Sequence, residues 1–352
     1  MSAVVVSHRF PARLLHCTTA LARAQRMSSR VPLSNVANTV EPAHHERAEK
    51  FFTFEKVAPN VFRQTYLTTS GQSGPHAAYG GLIMSQALAA AELTVSEQFK
   101  PHSMHAYFIL NVKTTIPVDY NVRLLRDGRS FCTRSVEAIQ DGKVVFSLQA
   151  SFHVNEPDAL VHQSAYPTGI KPADECQELN IAAGLLLARI EAGELQGSQH
   201  TRTALARYAQ SDRTKYLYDM RCTDTATLFG LGDPPSSFYF WMRSKVPVPA
   251  HNARLHRWLT TFASDACPVP VMVRPHIKND FSPSMMFTLE HVMNFHHDDI
   301  RVDEWLLYEL ESTKAGGGRG FARGRIWRSD GTLLVSVTQE ALIRTRGQVS
   351  RL

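Results

Sequence analysis

Residues 329–344 read "SDGTLLVSVTQEALIR", a turn pair at Asp330-Gly331 followed by one long strand. Side chains on a strand alternate with period two, so Leu333, Val335, Val337, Gln339, Ala341 and Ile343 share one face. The other face carries Leu334, Ser336, Thr338, Glu340, Leu342 and Arg344, which makes the first face the one expected to be buried. Gln339 interrupts it. A buried carboxamide costs about 1–3 kcal/mol unless its donors and acceptor are paired. Its partner is either a nearby backbone group or a second polar side chain brought into the same core.

Working back from this strand, "GRGFARGRIW" supplies the other arm of a hairpin around Asp330-Gly331. The same plan occurs about 190 residues earlier in "GRSFCTRSVEAIQDGKVVFSLQASFHV", with Asp141-Gly142 at its turn and Val144, Phe146, Leu148, Ala150, Phe152 and Val154 on one face. Each hairpin is preceded by a helical pattern and a strand. These are "YGGLIMSQALAAAEL" with "HSMHAYFIL", and "RLHRWLTTFASDA" with "SMMFTLEHVMNFH". A helix laid on an antiparallel sheet, present twice, predicts a duplicated α+β chain. The expected organisation is a leader over 1–45, a first unit over 46–155, a connecting segment with two helical patterns over 156–215, a second unit over 216–346 and a tail over 347–352.

The 352 residues suffice for two cores, and no apolar run reaches the roughly 18–20 residues of a membrane span. Five scattered cysteines without a CxxC pair point to reduced thiols in an intracellular compartment. The formal charge is +6, but Arg9, Arg13, Arg23, Arg26 and Arg30 all precede the first acid, Glu41. The remainder is nearly balanced, which argues against a nucleic-acid partner and leaves a small anionic ligand in keeping. The Arg-rich start has the composition of a mitochondrial presequence, and Met27 offers an alternative start that would remove most of it. The terminal Ser350-Arg351-Leu352 has the form of a peroxisomal signal read by an import receptor. Peroxisome is the expected location, with mitochondrion as the alternative.

Polar intrusions mark the candidate chemistry. At 100° per residue, Asp265 falls about 80° from Leu255 on the Trp258 side, at the border of the apolar stripe of its helix. Cys267-Pro268 should end that helix and leave the carboxylate at the negative pole of its dipole, where an acid is disfavoured. Asp265 is therefore either paired with a basic side chain or a general base with a raised pKa. Asp265 and Gln339 belong to the helix and sheet of one unit, so they are expected to meet, and a water between them would be oriented and polarised for hydrolysis. Glu290 and His291 are neighbours on a strand and point to opposite faces, so one site would not use both. No GxSxG elbow or Gly-rich phosphate loop occurs, and the contiguous His296 to Asp299 do not have the spacing of a metal site.

The segments "YGGLIMSQALAAA", "HSMHAYF", "LRDGRSFCTRSVEAIQDGKVVFSLQASF", "FASD", "EWLLYELEST", "RGFARGRI" and "SDGTLLVSVTQEALIR", in order over about residues 48–346, together resemble the type II acyl-CoA thioesterases. The resemblance implies a double hot dog fold and hydrolysis of acyl-CoA. It also implies no cofactor beyond the coenzyme A of the substrate, and a homodimer or larger homo-oligomer. It carries a catalytic trio onto Asp265 in "ASD", Thr288 in "FTLEHVMNF" and Gln339 in "TQE". Only the resemblance singles out Thr288, because alternation groups it with Met286 and Glu290 and does not say which face is buried. Gly80 and Gly81 at a helix start, or the counterpart of that start in the second unit, are candidate oxyanion donors, and Gln86, one turn on, is either a substrate contact or structural. Arg319, Arg323 and Arg325, around Gly316-Gly317-Gly318, are candidates for the phosphates of coenzyme A or else a solvated strand end. A hot dog hydratase or dehydratase, and a non-catalytic acyl-CoA binding protein, are the competing expectations.

Overall fold

The computed structural model describes residues 42–69, 76–211, 216–277 and 281–345. Residues 1–41 of the expected leader, with Met27 and Cys17, and the Ser350-Arg351-Leu352 signal lie outside the described residues, whereas the last four residues of the expected leader, 42–45, already belong to a helix. The first half contains α1 (Pro42–Phe52), β1 (Glu55–Ala58), β2 (Val61–Gln64), α2 (Gly80–Glu92) and β3 (Lys100–Phe108). Then follow β4 (Val118–Asp127), β5 (Phe131–Gln140) and β6 (Lys143–His153). The helices α3 (Leu179–Glu191) and α4 (Gln199–Ala209) lead on to β7 (Tyr218–Cys222), α5 (Thr225–Leu228), β8 (Phe238–Ser244), α6 (Ala253–Ser264) and α7 (Pro268–Ile277). The chain closes with β9 (Met285–Phe295), β10 (Leu306–Gly316), β11 (Arg319–Arg328) and β12 (Leu333–Arg344).

Among the described residues the strands form one antiparallel sheet in the order β1-β2-β4-β5-β6-β3-β9-β12-β11-β10-β8-β7. Read outward from the β3–β9 seam, the two halves repeat each other strand for strand. Long strands with alternating apolar residues fix this register, because a one-residue slip would turn every inward side chain outward. The turn Asp141-Gly142 takes positive φ at both residues, as a tight hairpin turn requires. One apolar core runs through both halves, with α2 and α6 packed against each other over it.

Both halves carry a bulge at the same place. Between β3 and β6 the register passes from Met104↔Ala150 and Ser103↔Ser151 to Pro101↔Phe152, leaving out His102. Between β9 and β12 it passes from His291↔Gln339 and Glu290↔Glu340 to Thr288↔Ala341, leaving out Leu289. An extra residue reverses the alternation beyond it. Thr288 is thereby separated from Glu290, with which strict alternation grouped it, and shares its side of the sheet with His291. Several elements are absent from the sequence reading, among them α1, the outer strands β1, β2, β7 and β8, and α7. Helix α7 begins at Pro268, and its prolines at 268 and 270 sit in the first turn, where no intrahelical N–H bond is needed.

Candidate active site

The site forms where the end of α6 meets the start of α2. Asn252 caps α6 by accepting the Leu255 N–H at 3.1 Å, and Asp265 is the C-cap, its dihedrals still in the right-handed helical region. The carbonyls of its last turns are held by tyrosine hydroxyls: Tyr79 donates to Phe262 at 2.9 Å, Tyr308 to Ser264 at 2.9 Å and Tyr218 to Leu259 at 2.6 Å. The misfit of an acid at a helix C-terminus is resolved by the neighbouring helix. Tyr79 gives α2 no side-chain cap, and the Asp265 carboxylate accepts the Gly81 N–H in its place. The positive end of the α2 dipole thus faces the carboxylate.

Two glycines allow this approach. A Cβ on Gly81 would stand 2.4 Å from the Phe262 carbonyl oxygen, and one on Gly80 would stand 2.9 Å from both Asp265 Oδ2 and the Phe108 ring. The two helices meet backbone to backbone at this end. At their other end Arg257 of α6 reaches Glu92 of α2 at 2.7 Å, so the helices run antiparallel.

Gln339 reaches Asp265 from β12. Its amide nitrogen donates to Asp265 Oδ1 at 2.9 Å and to Thr288 Oγ1 at 2.8 Å, and the Thr288 hydroxyl donates to Asp265 Oδ1 at 3.3 Å. The three residues carried over by resemblance, Asp265, Thr288 and Gln339, are thus in mutual contact. The carboxylate is 6% exposed. Burial lifts the Asp265 carboxyl from 3.8 to about 6, against the lowering effect of the Gln339, Thr288 and Gly81 donors. A carboxylate so placed is a base matched to neutral pH.

A fourth side chain completes the cluster. His291, fully buried, lies with Nδ1 2.9 Å from Gln339 Oε1 and Nε2 3.1 Å from Ser264 Oγ. Burial pulls this imidazole down to about 4, so it is neutral at neutral pH. In the sequence His291 stands out only as the neighbour of Glu290. The usable signal was its own parity, since it stands in the buried register with Met293 and Phe295 as Gln339 does with Val337.

The other candidates lie elsewhere. Gln86 is spent within the core of the first half, donating to the Phe51 carbonyl at 2.8 Å and accepting the Tyr120 hydroxyl at 2.7 Å. Arg319, Arg323 and Arg325 pair across β11–β12 with Leu342, Thr338 and Ser336, whereas Gln339 pairs with Ala322. Strand parity therefore turns the three arginines to the face of the sheet opposite Gln339, and the structure does not bring them to Asp265. Arg319 and Arg325 are engaged by Glu340 and Glu309 at 2.9 and 3.2 Å.

Comparison with known proteins agrees with this architecture. Residues 69–153 match the acyl-CoA thioesterase N-terminal domain and residues 196–343 the acyl-CoA thioesterase C-terminal domain. The chain belongs to the acyl-CoA thioesterase family, and its fold is the double hot dog. It is similar to acyl-coenzyme A thioesterase 8 of Mus musculus, 35% identical over 77% of this chain and 82% of that protein. It is also similar to peroxisomal acyl-coenzyme A thioester hydrolase 1 of Saccharomyces cerevisiae, 24% identical over 84% of this chain and 93% of the other. Among solved structures, the acyl-CoA thioesterase II TesB2 of Mycobacterium marinum superposes with a TM-score of 0.65 at 27% identity, over 85% of this chain and 99% of that one.

Proposed function

We propose that the protein hydrolyses fatty acyl-CoA to free fatty acid and coenzyme A with water activated at Asp265. The observation that carries this reading is the buried Asp265 carboxylate, raised to about 6 and held by Gln339 and Thr288. Of these contacts the Thr288 hydroxyl to Oδ1, at 3.3 Å, is the longest and is well beyond the usual O–H···O distance. The nucleophilic water enters there, donating to Asp265 and positioned by Thr288 and Gln339. Asp265 takes the water proton as the oxygen bonds to the thioester carbon. The resulting oxyanion collapses and coenzyme A leaves as a thiolate, which takes up the proton. Because the Gly81 N–H is committed to Asp265, the Gly80 N–H at the same helix start is the proposed oxyanion donor.

Thiol release from palmitoyl-CoA and shorter acyl-CoAs tests this. We expect turnover by the wild type, and a loss of about a hundredfold or more in kcat for Asp265→Asn, with a comparable loss for Gln339→Ala. Folded wild-type protein inert at every chain length would instead be an acyl-CoA binding protein. A hydratase or dehydratase would need an imidazole that reaches the substrate. His291 Nδ1 does come within 4.0 Å of Asp265, but it is fully buried and bonded to Gln339, which disfavours that reading.

We further propose that the enzyme works in peroxisomal fatty-acid metabolism, imported through Ser350-Arg351-Leu352 by the receptor for such signals, and that it acts as a homo-oligomer. The sequence signal and the yeast relative's name support the location. A fluorescent fusion lacking the last three residues should lose punctate import. Mitochondrial signal from the full-length fusion would favour the Arg-rich leader instead. Light scattering on the purified chain should give at least twice the 39.4 kDa monomer mass.

A further inference from the structure

We infer that His291 is a positioning residue that sets which way the Gln339 amide faces, acting as the middle of a donor chain from Ser264 through His291 to Gln339. This rests on the assignment of Asp265 and Gln339 to the hydrolytic step. Gln339 presents one amide atom to Asp265 Oδ1 at 2.9 Å and Thr288 Oγ1 at 2.8 Å, and the other to His291 Nδ1 at 2.9 Å. If the amide were flipped, its carbonyl oxygen would oppose an ionised carboxylate oxygen, two acceptors in contact. The nitrogen therefore faces Asp265 and the carbonyl faces His291.

A carbonyl can only accept, so His291 Nδ1 carries a proton. The ring is buried away from solvent and neutral, so Nε2 is then a lone pair, and the Ser264 hydroxyl 3.1 Å away is the group that donates to it. That hydroxyl has a single proton, and the Thr261 carbonyl, 2.8 Å from the same oxygen, is the competing acceptor that the proton forgoes in this arrangement; Met293 Sδ lies 3.4 Å away. Each donor strengthens the next, and the chain delivers its polarisation to the amide N–H that touches Asp265. Ser264 and Asp265 are consecutive, so the chain closes a ring that ties the end of α6 to β9 and β12. The other imidazole tautomer would reward the flipped amide and turn a donor away from the carboxylate.

The first test needs no variant. Nitrogen-15 chemical shifts of the His291 ring in the wild type should report the Nδ1–H tautomer, and an Nε2–H ring would overturn the assignment. In kinetics, His291→Ala should lower kcat by about tenfold to a hundredfold, the scale of loss from a misplaced reacting group, with KM within about threefold. His291→Asn puts an amide nitrogen where Nδ1 stood and should restore most of kcat. His291→Gln, whose nitrogen falls nearer Nε2, should not. Combined with Gln339→Ala, His291→Ala should cost nothing more. Full kcat in His291→Ala, beside an inactive Asp265→Asn, would sink the positioning role alone. Full activity in both Asp265→Asn and Gln339→Ala would instead sink the hydrolytic assignment beneath it.

Discussion

Asp265 and His291 lie 4.0 Å apart in the same buried cluster and respond to burial in opposite senses, since desolvation opposes the charged form of each. For Asp265 the folded pKa, about 6, lies above the unfolded 3.8, so the folded state holds an extra proton between those values. Stability from this group therefore falls as pH rises from about 4 to 6, by about 3 kcal/mol in all. For His291 the folded value, about 4, lies below 6.5, so its contribution rises with pH over about 4 to 6.5. The two slopes offset each other in the wild type. Removing either should uncover the other. Asp265→Asn should melt higher than wild type at pH 7 to 8 while losing activity, as read by thermal unfolding across pH. A lower melting temperature for that variant would mean that its hydrogen bonds outweigh its desolvation. In the wild type, kcat/KM should climb as pH passes about 6 and then level off, as Asp265 ionises.

At the scale of the element, the contact between α2 and α6 and the bulge in β9 decide whether the site exists. Gly81→Ala would meet the Phe262 carbonyl, a backbone atom that cannot move aside, so it should cost stability by about 1–3 kcal/mol as well as activity. Gly80→Ala would meet only the Phe108 ring and the Asp265 carboxylate, so activity should fall much further than stability. Equal losses of melting temperature in the two variants would contradict this difference. Inserting one alanine between Glu340 and Ala341 should give Leu289 a partner on β12, regularise the ladder and return Thr288 to the far side of the sheet from His291. Circular dichroism should then stay near wild type while turnover drops at least to the level of Thr288→Ala.

The same elements show what a sequence can disclose. Helix α6, the β11–β12 hairpin and the inward register of Gln339 follow from periodicity and the Asp-Gly turn, so the meeting of Asp265 with Gln339 was legible. Thr288 was not, because a bulge leaves no mark in composition and Leu289 is an ordinary strand residue. Helix α7 was hidden by its prolines, which read as a stop although the first turn tolerates Pro268 and Pro270 and only Pro275 stands inside the helix. The outward turn of Arg319 and Arg323 was available from strand parity relative to Gln339, once the partner of each was known.

Across the whole molecule, duplication has produced one site and one counterpart without its chemistry. Register equates Gln339, His291 and Thr288 with Ala150, Met104 and Pro101, so the polar ring of the second half is apolar in the first. At the far end of the helix pair, where a second site would stand by symmetry, Glu92 is bound by Arg257 and the Trp258 indole N–H. Both charged side chains are 1% exposed. Breaking such a pair leaves an uncompensated buried charge, so Arg257→Ala should destabilise by about 3–5 kcal/mol. It should leave kcat of the folded fraction unchanged, because the ring around Asp265 does not include it. A large fall in kcat at saturating substrate, with the protein fully folded, would show the two ends of the helix pair to be coupled.

The seam between the halves also sets an order of events in time. Strand β9 carries Thr288 and His291 while pairing with β3 on one side and β12 on the other, and Met104 and Met293 face each other fully buried across the seam. Asp265, moreover, takes a donor from α2 of the other half. The second half holds the whole polar ring, but the Gly81 donor to Asp265 and the proposed Gly80 oxyanion donor come from the first, so the site is complete only once the halves have met. On refolding from denaturant, the helix and strand signal should therefore return ahead of turnover. Turnover becomes a clock for the docking of the halves, and substitutions at Met104 or Met293 should slow that clock without changing the chemistry it reports.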